Sequence, residues 1–173
     1  MAIKGAQPEH LRITPHLIVK NTNAAMDFYQ RAFAAEVLYL APLPNGENLH
    51  AHLRIAKTVV MLTQEDSDPK KQRERSPGGL AAPQTLGGTT TIFELYVDDV
   101  DTSYKRAVDA GATPVIPLGD MFWGDRYGWV LDPCGYLWAL SMVKETLTPD
   151  QVQERMEEMF ARMGHGDCSP LAE

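Results

Sequence analysis

The sequence predicts an α+β fold made of two βαβββ modules and a C-terminal helix. Three observations carry this. The chain repeats itself: an offset of 78 residues lays "FELYVDDVDTSYKRAVDAGATPV" (93–115) over "PHLIVKNTNAAMDFYQRAFAAEV" (15–37). The same offset carries "LWAL" (137–140) onto "VVML" (59–62). Within each copy the signals run in one order, which is strand, amide or acidic cap, helix, turn and further strands. A length of 173 residues suits one domain, or two small modules sharing a core. The modules are placed at 12–65 and 90–143, with a flexible linker over 66–89 and an amphipathic helix over 148–163.

Each element has a local reason. "RITPHLIV" is rich in apolar and β-branched residues and forms the first strand. Asn21 or Thr22 caps the next helix, because a side-chain oxygen there accepts from the first free backbone N–H groups. Ala25, Phe28, Tyr29 and Ala32 recur at helical spacing and bury one face. "PNGEN" (44–48) turns the chain into "LHAHLRI". In the second copy "TIFELYV" is the strand, Asp99 or Asp101 the cap, and Gly111 the helix stop, since glycine tolerates positive φ. "DPCG" then turns the chain into "YLWALSM".

Residues 65–89 have no apolar period and are rich in Gly, Pro and charge, which reads as a mobile connection. In the tail, Thr148 caps and Pro149 suits the first helical position. Val152, Met156, Met159, Phe160 and Met163 form an apolar stripe, which packs on its own domain or on a second copy. The last ten residues, "GHGDCSPLAE", read as frayed.

Composition excludes several classes of function. Net charge is −7 and the isoelectric point about 5.2, against the basic stripe of a nucleic-acid binder. The basic run "KKQRER" (70–75) reads as a solvated loop. No run of apolar residues is long enough to span a membrane, and the N-terminal stretch lacks a signal-peptide core, which points to the cytoplasm. The two cysteines, Cys134 and Cys168, form neither a disulfide framework nor a zinc ribbon and read as free thiols.

The stretches "ITPHLIVKNTNAAMDFYQRAF", "HLRIAKTVVML", "LYVDDVD", "FWGDRYG" and "DPCGYLWAL" resemble the vicinal oxygen chelate superfamily, which holds glyoxalase I, extradiol dioxygenases and bleomycin-resistance proteins. "WGDR" followed by "DP-G--W" resembles more closely its PhnB-like branch of small glyoxalase-like proteins. The resemblance covers about 12–163 and implies sheets that curl around a shared cleft, a small-molecule ligand and a homodimer. It also implies a divalent metal held by four side chains. Those positions fall here on Thr14, Met61, Ile92 and Ala139, which cannot supply the usual nitrogen and oxygen shell. No metal or other cofactor is therefore expected at the standard positions.

Strand alternation proposes other cleft residues, because side chains two apart share a face. If Thr14 and Ile92 line the cleft, so do His16 and Glu94, which match under the offset. On the third strand Leu49, Ala51, Leu53 and Ile55 form the apolar face, leaving His50, His52 and Arg54 toward the cleft, with Tyr96 nearby. Three readings stay open. The group binds a polar or anionic small molecule, with Arg54 forking onto a carboxylate or phosphate. Alternatively Glu94 and His16 form a displaced metal or acid–base site of a lyase or dioxygenase. Alternatively His50, His52 and Arg54 only face solvent. Of the three tryptophans, Trp138 and Trp129 are expected in the core, Trp129 because the offset sets it over Ala51. Trp123, in a loop beside Asp125 and Arg126, is expected at the cleft rim, so Trp123, Asp125 and Arg126 join the candidate binding residues.

Overall fold

The computed structural model of the chain describes residues 13–66, 68 and 80–163. The basic run at 70–75, most of the expected linker, and everything beyond 163, Cys168 included, lie outside the described residues. The first module comprises β1 (His16–Val19), α1 (Thr22–Phe33), β2 (Glu36–Pro42), β3 (Asn48–Ile55) and β4 (Thr58–Gln64). A single helical turn, α2 (Pro83–Leu86), follows. The second module comprises β5 (Ile92–Tyr96), α3 (Val100–Asp109), β6 (Thr113–Asp120), β7 (Asp125–Leu131) and β8 (Leu137–Val143), and the chain closes with α4 (Pro149–Met163).

Both modules build the same mixed sheet. Strand orders are β1-β4-β3-β2 and β5-β8-β7-β6, with the first pair of each parallel and the rest antiparallel. The first strand is shorter than "RITPHLIV": it begins after Pro15, which has no N–H to give a ladder. The caps resolve to Asn21, whose side chain accepts from Ala24 N at 2.9 Å, and Asp99, which accepts from Thr102 N at 3.0 Å. Gly111 sits at φ +115 and lets the chain leave α3 in the left-handed region. Thr148 and Gln151 form a capping box on α4, each side chain serving the other's backbone N–H.

The modules join through their helix-bearing sides. Arg31 on α1 donates to Ala110 O at 3.0 Å, and Arg106 on α3 donates to Ala32 O at 2.7 Å. Ala32 and Ala110 are equivalent under the 78-residue offset, so each module's arginine satisfies a C-terminal carbonyl of the other's helix. One buried cluster runs through both modules and includes Phe28, Tyr29, Phe33, Leu53, Val130 and Trp138. The Trp138 ring lies 4.6 Å from Phe33 and 5.0 Å from Phe93. The connection expected to lack structure is ordered at its end, because α2 is held by Glu65, which accepts from Ala82 N at 3.1 Å and Thr85 Oγ1 at 2.8 Å.

Candidate functional site

With the helices on one side, each sheet keeps a second face, and register assigns its residues. Cα partners across a ladder share a face. In the first sheet His16 and His52 both pair with Met61, and His50 pairs with Thr63. These side chains lie opposite buried Ala51, Leu53 and Ile55. They form a hydrogen-bonded chain: His16 Nε2 and His50 Nδ1 meet the Thr63 hydroxyl at 2.6 and 2.7 Å, and His52 Nε2 meets His50 Nε2 at 2.9 Å. The Tyr39 ring flanks His52 at 5.2 Å. Burial lowers the His16 pKa, and burial followed by the charges of His52 and His16 lowers that of His50.

In the second sheet the rows Glu94–Ala139–Trp129 and Tyr96–Ser141–Tyr127 run across β5, β8 and β7. Ala139 and Ser141 are buried, at 1% and 0% exposure, and form a low floor between Glu94 and Tyr96 on one side and Trp129 and Tyr127 on the other. With strands about 4.8 Å apart, the two walls stand about 10 Å apart at the backbone. Ser141 Oγ donates to Glu94 Oε1 at 2.9 Å, and the Tyr96 hydroxyl donates to buried Asp125 Oδ2 at 3.3 Å. Trp129 Nε1 donates to the Tyr127 hydroxyl. Trp123 closes one end, with its ring 5.4 Å from Tyr127 and 5.0 Å from Phe122. Its turn depends on Gly124 at φ +100, where an added Cβ would stand 2.5 Å from Glu145 O.

Several expectations change. Trp129 is not core: it pairs with Ala139 and shares the face of Glu94. The reason is the turn before β8. Asp132 N bonds Tyr136 O across three residues, whereas Ile55 pairs with Thr58 across two. The offset on β7 is therefore 77, His52 matches Trp129, and a one-residue slip turns every side chain over. Arg126 is directed away from Asp125 and Tyr127, with Asp101 at 2.7 Å and Asp120 at 3.2 Å. Arg54 shares the histidine face but is paired with Glu36 at 2.6 Å. Neither guanidinium stands ready for an anion. Glu94 and Tyr96 do not join the histidines: among the described residues no hydrogen bond or ring contact links the two groups. Tyr127, Ser141, Thr63 and Tyr39 were missed, although each lies two residues from a residue already singled out or paired with one.

The family's metal positions do not fit a cation. Thr14, Met61, Ile92 and Ala139 offer one hydroxyl, one thioether and two hydrocarbons. Among the described residues, no three His, Cys, Asp or Glu side chains are arranged to hold a metal ion. Burial pushes the Cys134 thiol up to about 12, which leaves it inert at neutral pH.

Comparison with known proteins agrees with the fold. The model of the Glyoxalase/Bleomycin resistance protein/Dioxygenase superfamily matches residues 8–140. The chain belongs to that superfamily. Within it, an uncharacterized protein of Mycobacterium bovis is 42% identical over 144 residues, covering 83% of this chain and 91% of the relative. The crystal structure of TioX from Micromonospora sp. ML1 superposes with a TM-score of 0.60 at 27% identity, covering 77% of this chain and 98% of that one. A glyoxalase/bleomycin resistance protein/dioxygenase from Nocardioides gives 0.58 at 19% identity, covering 85% and 91%, and shows the shared fold alone. The superfamily's paired modules account for the internal repeat. No helix among the described residues is long and apolar enough to cross a membrane.

Proposed function

We propose that this superfamily member binds a small organic ligand on its uncovered strand faces, without the family's four-ligand metal centre. The observation that carries the reading is the trough over Ala139 and Ser141. Four large aromatic side chains, Tyr96, Trp123, Tyr127 and Trp129, stand around it and none is fully buried, Tyr96 being 56% exposed. Folding gains little from large rings left at water, whereas a flat ligand gains from them. His16, His50 and His52 on the first sheet supply polar groups of a second subsite.

"WGDR" and "DPCGYLW" support membership of the PhnB-like branch. Strand faces turned away from α1 and α3, with exposed Tyr39 and Tyr96, and the half-exposed Phe160 of α4 support a homodimer. The alternative, a metal-dependent lyase or dioxygenase using His16 and Glu94, requires two side chains that stand in separate groups to meet.

A thermal-unfolding screen of chelator-treated protein tests the proposal, because a ligand that prefers the native state raises the midpoint. Aromatic small molecules should raise it and Ni²⁺, Zn²⁺, Mn²⁺, Co²⁺ and Fe²⁺ should not. A rise with a divalent metal that disappears in His16→Ala and Glu94→Ala would replace the binding reading with the metalloenzyme reading.

A further inference from the structure

We infer that the trough on the second sheet takes an organic cation, an amine or quaternary ammonium carried on a flat apolar body. This rests on the ligand-binding reading above and names the chemistry of that ligand. Three observations carry it.

Charge comes first. Every ionisable side chain that register places on this face between β5 and β7 is a carboxylate or a phenol: Glu94, Asp125, Tyr96 and Tyr127. Among the described residues no Lys, Arg or His of these strands shares the face, and Arg126, the nearest in sequence, points to the other side, into Asp101 and Asp120. An anion entering here would meet the carboxylates of Glu94 and Asp125 with no cationic side chain of the described strands on the same face.

The second observation is the arrangement of the rings. Trp129 stands across buried Ala139 from Glu94, and Tyr127 across buried Ser141 from Tyr96. A cation seated above these buried residues, at the level of exposed Glu94 and half-buried Trp129, has a carboxylate on one side and an indole on the other. Aromatic faces attract cations through their quadrupole, tryptophan most strongly. The rings are also fixed in advance. Trp129 Nε1 is bonded to Tyr127, Tyr127 packs edge-on to Trp123, and Tyr96 is tied to Asp125. Little side-chain freedom remains to be lost on binding.

Third, the phenols stand close to the carboxylates. Burial, then the negative charges of Glu94 and Asp125, raise the Tyr96 pKa. Burial raises that of Tyr127, with Glu94 adding to it and the bond from Trp129 opposing. Both phenols therefore stand within reach of the Glu94 carboxylate, whose charge adds to the effect of burial. Across the chain, the net charge of −7 steers a cation toward the protein.

The test uses the full chain and three probes that share one ring: benzyltrimethylammonium, benzyl alcohol and benzoate, each titrated by calorimetry and tryptophan fluorescence. The cation should bind about tenfold more tightly than the alcohol, with benzoate weakest. Added NaCl should weaken the cation alone. Glu94→Gln should remove most of the cation's advantage and leave the alcohol unchanged, whereas Asp27→Asn, an exposed carboxylate on α1, should change neither. Trp129→Leu should weaken the cation most, with the unfolding midpoint followed to show that the variant is folded. Equal affinities, a preference for benzoate, or a cation indifferent to Glu94→Gln overturns the inference. Binding of alcohol or benzoate without the cation leaves the organic-ligand reading standing. Silence from all three probes at millimolar concentration rejects both.

Discussion

Tyr29 and Asp132 lock the two modules together: the Tyr29 hydroxyl on α1 donates to Asp132 Oδ2 at 2.6 Å, 103 residues further along the chain. Asp132 also accepts from Trp138 Nε1 at 2.9 Å, Cys134 N at 2.8 Å and Tyr136 N at 2.9 Å. Burial pushes its carboxyl pKa up, and these donors pull against that by favouring the ionised form. Asp132→Ala leaves a buried phenol and a buried indole N–H without acceptors, and should cost about 3–5 kcal/mol. Tyr29→Phe removes one donor and should cost about 1–2 kcal/mol. Urea unfolding measures both, and equal losses would contradict the central place given to Asp132.

A second lock sits at Tyr136. Its hydroxyl accepts from Ile18 N at 2.9 Å and donates to Ile18 O at 3.0 Å. β1 is an edge strand, so this phenol from the second module satisfies an edge that would otherwise lack a ladder. Tyr136→Phe should leave two buried backbone groups unpaired and cost about 2–4 kcal/mol. Hydrogen exchange should show the Ile18 amide losing protection before those of β3, and unchanged protection at Ile18 would refute the role.

These locks were not legible in the sequence, although the modules they join were. The repeat at an offset of 78 matches His16 with Glu94 and Met61 with Ala139, and the ladders keep that match, His16 pairing with Met61 and Glu94 with Ala139, because β1, β4, β5 and β8 keep one spacing. It fails at β7, where the longer "DPCG" turn shifts the offset and brings Trp129 out of the core. A period of two makes the reading of a strand face depend on every inserted residue. The arginines fail for a different reason. Arg54 looks available until Glu36, 18 residues earlier, is seen beside it, and Arg126 until Asp101, 25 residues earlier. Local pattern says which face a side chain takes but not which distant charge meets it there.

The histidine chain predicts a pH dependence. His16 and His50 have pKa values below the ordinary 6.5 because burial disfavours their charged forms. The unfolded chain therefore takes up protons first as pH falls. Stability from these groups is complete above about pH 6.5 and is lost as pH drops through that value toward their lower folded values. The thermal midpoint should fall between pH 7 and pH 5, and His50→Asn should flatten the slope. A midpoint that rises on acidification in this window would show that the cluster is held charged.

The two environments of Trp123 and Trp138 give the sharpest separation of fold from function. Trp138 is 3% exposed and packed among Tyr29, Phe33 and Phe93, with its N–H on Asp132. Trp138→Ala should cost about 3–5 kcal/mol from cavity formation and the lost bond. Trp123 is only partly buried, and its ring contacts are Phe122 and Tyr127 at the end of the trough. Trp123→Ala should cost about 1 kcal/mol or less, since a half-exposed ring gives up little buried area. It should weaken benzyltrimethylammonium about threefold, less than Trp129→Leu does, because the ring that closes one end of the site is removed. Urea unfolding and calorimetry on the same two variants decide the matter. Similar stability losses would return Trp123 to the core, whereas unchanged affinity beside a small stability loss would detach the turn at Gly124 from the binding site.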